Sequence, residues 1–150
     1  MHSRRVIIIE YSIWVTVTIG IIIVSLISSA AAGTIMLTND KTAHLAAYAV
    51  LGFVSYPVIR RFPLPGNGTS GLRQLGAGIW TLLYCSLLGG GLELLQTVTG
   101  RVSEWLDFGA DAAGAVVGVI FSWIVLRLLE MLFHREPEDR FAAGRNDELS

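Results

Sequence analysis

Apolar residues in this chain are gathered into four long blocks separated by short polar segments, not spread at the three-to-four spacing of a soluble amphipathic helix. The blocks cover about residues 6–29, 42–59, 72–95 and 106–133. Each is close to the roughly 20 apolar residues that carry a helix across the hydrocarbon of a bilayer. In lipid the backbone N–H and C=O groups must be satisfied inside the protein, and a long apolar block does so as a helix. The pattern predicts an all-α fold, a four-helix transmembrane bundle over residues 1–133. A short mixed-charge tail over 134–150 follows, with Arg135, Glu136, Asp139, Arg140, Asp147 and Glu148.

Composition narrows this further. Residues are 53% hydrophobic and 15% charged, where a soluble domain carries about a quarter charged residues. The net charge of -1 argues against a general nucleic-acid binder. Cys85 is the only cysteine and falls inside the third block, which rules out an intrachain disulfide and points to a packing thiol. Arg4 and Arg5 before the first block, and the small residues Ser28 to Ala32 after it, also suit a secretory leader. The run exceeds a leader's usual apolar core, so an uncleaved helix is expected. Residues 62–71, rich in Pro and Gly, read as a turn-forming linker.

Loop charges set the expected orientation. Arg4 and Arg5 precede the first block, Arg60, Arg61 and Arg73 bracket the loop after the second, and Arg135, Arg140 and Arg145 follow the fourth. The other two loops offer only Lys41 and Arg101. The positive-inside rule then puts both termini in the cytoplasm and the segments around Asp40 and Arg101 outside. On the cytoplasmic linker, the glycosylation-like triplet Asn67-Gly68-Thr69 is a chance match.

Most of the remaining polar residues gather at the predicted outer ends. Asn39 or Asp40 can cap the second helix, and Lys41, His44 and Tyr48 then share one face at i, i+3, i+7. Glu93 and Gln96 share a face at the end of the third helix, where the dipole disfavours a carboxylate. Glu93 therefore needs a partner, and Lys41, His44 and Arg101 are the candidates. Ser103 can cap the fourth helix. Asp107 and Asp111 follow at i, i+4, and Gly114 and Gly118 continue toward the middle with small-xxx-small spacing. That face is expected to point into the bundle. Gly89-Gly90-Gly91 suggests close packing or a kink near Glu93, Glu10 is within reach of Arg5 or interfacial water, and Trp14 faces lipid or packs. Trp105 suits the outer interface.

Taken in order, Asp40-Lys41-x-x-His44-x-x-x-Tyr48-x-x-x-Gly52, Glu93-x-x-Gln96 and Arg101-x-Ser103-x-x-x-Asp107-x-x-x-Asp111-x-x-Gly114-x-x-x-Gly118 resemble the VanZ-like family over about residues 35–125. These are small bacterial membrane proteins named for a member linked to teicoplanin resistance. The family commonly has Asn where this chain has Asp111. The resemblance implies a plasma (inner) membrane location and a cell-envelope role, with glycopeptide resistance as the association behind the name. It implies no established reaction and no known cofactor.

Three functions stay open at this point. Two helix N-termini at the outer face, with Lys41 and Arg101, suit an anionic envelope precursor or glycopeptide. Alternatively, His44, Glu93, Asp107 and Asp111 supply ligands for a divalent metal in a hydrolase or phosphatase acting on a lipid-linked substrate, although no strong His/Cys metal motif is present. In the third reading the cluster is a buried ion-pair network in a structural or partner-binding protein.

Overall fold

The structure is a computed structural model that describes residues 4–31, 40–63, 70–98 and 105–133. Among the described residues it is all-helical: α1 (Arg4–Ala31), α2 (Asp40–Ile59), α3 (Ser70–Val98) and α4 (Trp105–Phe133). The 20 residues of α2 reach about 30 Å, and the 28 or 29 residues of each of the other three reach about 42 Å. Each helix is long and apolar enough to cross a membrane. The charged tail, most of the linker with the Asn67-Gly68-Thr69 triplet, and the segments around Asn39 and Arg101 lie outside the described residues.

The surface is inverted relative to a soluble bundle. Ile8, Val24, Leu87, Leu94, Phe121 and Leu132 are all more than half exposed, whereas the interior mixes small and polar side chains with Leu51, Tyr56 and Val58. Water does not tolerate an apolar surface of this extent, but lipid does, and this makes the chain an integral membrane protein. On α3 the buried line Ala77, Thr81, Cys85, Gly89 and Glu93 advances four residues at a time. On α4 the buried face carries Asp107, Asp111, Gly114, Ala115, Gly118 and Ser122.

α2 and α4 run parallel and make the most extensive contact of any helix pair. Glycines are the reason. A Cβ added at Gly114 would meet the carbonyl oxygen of Leu45, one at Gly118 would meet that of Ala49, and one at Gly52 would come within 2.6 Å of the Ala115 carbonyl. No side chain separates the two backbones at these levels. Phe53 and Phe121 continue the contact with ring centroids 5.6 Å apart, and Arg60 closes it on Glu130 at 2.9 Å.

α3 runs antiparallel to this pair, with Gln74 accepting a 3.0 Å hydrogen bond from Trp123 at one end and Gly89 beside Tyr48 nearer the other. α1 lies against α2 and α3, with Val17 and Ile21 packed on the core and several polar contacts beside them. Trp14 Nε1 donates to Ser55 Oγ at 3.0 Å, and Thr18 Oγ1 shares a 2.8 Å bond with the Tyr84 hydroxyl. Glu10 pairs with Arg61 across the end of α2, a partner that its neighbours in sequence do not suggest. The up-down-up-down order puts the start of α1 and the end of α4 at one end of the bundle.

Candidate functional site

At the opposite end, where α2 and α4 begin and α3 finishes, three helices converge on a polar cluster. α2 contributes His44 and Tyr48, one turn apart. α3 contributes Glu93 and Gln96 from its last turns, and α4 contributes Asp107 and Asp111 from its first two. Tyr48, Glu93, Gln96, Asp107 and Asp111 are all buried, and His44 is half-buried.

The best-defined contact joins His44 Nδ1 to Asp111 Oδ1 at 2.9 Å. With Asp111 ionised its carboxylate accepts, Nδ1 carries the proton and the ring is held in that orientation. Nε2 is then the ring atom able to ligate. Asp111 is 2% exposed, so this orientation is set in the interior and not at a solvated surface.

Glu93 and Asp107 close around the same imidazole. One ligating atom from each of His44, Glu93 and Asp107 lies within 4.8 Å of the other two. Of the candidates for the partner of Glu93, His44 is thus a direct neighbour. Asp107 Oδ1 is buried and has no hydrogen-bond partner among the described residues. An orphaned buried carboxylate oxygen is costly, because its desolvation is not repaid by any bond.

Gln96 turns toward α1, where its amide donates to the Ser25 carbonyl at 3.2 Å. It ties α3 to α1 at the level of the cluster. Lys41 is exposed at the rim. The side chain of Asp40, together with Arg101 and Ser103, lies outside the described residues. Gly114 and Gly118 sit one and two turns below Asp111 in the α2 contact described above.

One participant was not singled out among the candidates. A Cβ at Gly89 would stand 2.8 Å from Asp111 Oδ2 and 3.1 Å from the Tyr48 hydroxyl. The glycine thus leaves the space in which those two side chains sit. The Gly89-Gly90-Gly91 run was the available signal, but only the fold shows which of the three matters. An added Cβ at Gly91 would meet open space, and one at Gly90 only the edge of the Phe108 ring at 3.7 Å.

Electrostatically the described part of the cluster is acidic, with Glu93, Asp107 and Asp111 around a single histidine. Scanned against protein-family models, curated proteins and solved structures, the chain matches none of them.

Proposed function

We propose that this protein is a VanZ-like protein of the bacterial plasma membrane whose polar end faces outward and binds the anionic headgroup of a lipid-linked envelope precursor or a glycopeptide. The convergence of His44, Tyr48, Glu93, Asp107 and Asp111 carries the reading, because three helices deliver their polar residues to one end of an otherwise apolar bundle. A network kept only for packing would satisfy its own members, and Asp107 Oδ1 is left over. The outward orientation is supported by the arginines at the other end, Arg4, Arg5, Arg60, Arg61 and Arg73. Lys41, exposed at the start of α2, then attracts the anion, and Arg101 adds positive charge in the segment before α4.

The test is a thermal-shift measurement on the full chain in detergent with lipid-linked precursor added. The parent is expected to gain stability on addition. Glu93→Gln and Arg101→Lys are expected to melt near the parent and lose most of that gain. A parent that shows no shift with any precursor or glycopeptide removes the reading.

A further inference from the structure

We propose that the polar end holds a divalent cation, with His44, Glu93 and Asp107 as its protein ligands and Asp111 as the residue that positions the histidine. The inference rests on the reading of this end as a ligand site, and it explains how an acidic cluster accepts an anion.

Four observations converge. One potential donor atom from each of the three residues already lies within 4.8 Å of the others. Ligands at about 2.0–2.2 Å around a tetrahedral ion sit roughly 3.4 Å apart, so small side-chain adjustments complete the site. Asp107 is 7% exposed and one of its oxygens has no hydrogen-bond partner among the described residues. A cation would remove that deficit. The Asp111–His44 bond is the carboxylate–histidine arrangement that metal sites use to fix the tautomer and orient the ring. Finally, a dication would offset most of the charge that Glu93, Asp107 and Asp111 bring to a buried location.

One imidazole and two carboxylates suit Zn²⁺ or Mn²⁺ better than a soft ion, since no thiolate is among the ligands. Three protein ligands leave coordination positions for an oxygen of the incoming headgroup. The cation would convert the surplus of carboxylates from a barrier into the means of holding a phosphate or carboxylate.

The decisive experiment uses the full chain in detergent, stripped with chelator and titrated with Zn²⁺, Mn²⁺ or Co²⁺ alone. The expected result is one ion per chain, with a cobalt visible spectrum that reports nitrogen and oxygen ligands and a raised thermal midpoint. Asp107→Asn should weaken binding by at least 100-fold, and Asp111→Asn by about 10- to 100-fold through loss of histidine positioning. Arg73→Gln, exposed at the opposite end of the bundle, should leave it unchanged. If the parent binds no ion more tightly than millimolar, the inference is overturned whatever the variants do. Equal affinity in parent and Asp107→Asn also overturns it. Loss of cation binding with the precursor shift intact would leave the proposed function standing. Cation binding with no precursor shift would support the site and remove that function.

Discussion

Gly89 is the residue at which packing and chemistry meet most closely. Its missing side chain is the space occupied by the Asp111 carboxylate and the Tyr48 hydroxyl. Both obstacles are side-chain and not backbone atoms, so Gly89→Ala is expected to displace Asp111 from His44 while the helices hold their places. Overpacking at this buried position is expected to cost about 1–3 kcal/mol in a denaturant series, with precursor and cation binding largely lost. Asp111→Ala removes the partner of the half-buried imidazole without overpacking, and a stability loss of about 1–3 kcal/mol is expected from it as well. The sequence made His44, Glu93, Asp107 and Asp111 recognisable as polar residues at helix ends. Their pairing was not readable, because spacing along a helix defines a face and not the residue opposite it. The same limit concealed the reach of Gln96 to Ser25 and of Glu10 to Arg61.

Among the helices, legibility followed the kind of force involved. Burial in lipid acts on long apolar runs, so the blocks marked all four helices to within a few residues at each end. Helix-to-helix contact in lipid depends on backbone approach, which small residues permit. Gly114 and Gly118 indicated the contacting face of α4, and Ala49 and Gly52 line the facing side of α2, whereas Leu45, whose carbonyl Gly114 meets, carries no such mark. An alanine at either glycine drives a Cβ into a backbone carbonyl that cannot rotate aside. Gly114→Ala and Gly118→Ala are each expected to cost about 1–3 kcal/mol. Gly76→Ala serves as the control, since nothing lies within 4 Å of its added Cβ; it should be neutral or stabilising by up to about 1 kcal/mol. Reversible unfolding in mixed micelles would read all three. α1 was seen as a span but not as a docked one. Its docking face, Trp14, Thr18, Ile21 and Ser25, is a helical stripe, but almost every other position of α1 is apolar too, so the stripe does not stand out.

For the molecule as a whole, the two ends have different characters. One carries the His–carboxylate cluster. The other carries the ion pairs Arg60–Glu130 and Arg61–Glu10, with side chains about a quarter to two-fifths exposed, at the wall of a cavity. With the arginine-rich end in the cytoplasm, a reporter fused after Ser150 should be active inside the cell, and one inserted between Thr99 and Ser103 should be active outside. The reverse result would invert the topology. The glycine contact between α2 and α4 has a further consequence. It locks His44, Asp107 and Asp111 onto a single strut, while Glu93 arrives on α3. The cluster is therefore a pair of unequal jaws, and its closure is a matter of where α3 stands. By reciprocity, whatever draws α3 away must loosen a shared ligand by the same factor that the ligand resists the withdrawal. A ligand held by both α3 and the α2–α4 pair would therefore tie its own occupancy to the lateral tightness of the bundle within the bilayer.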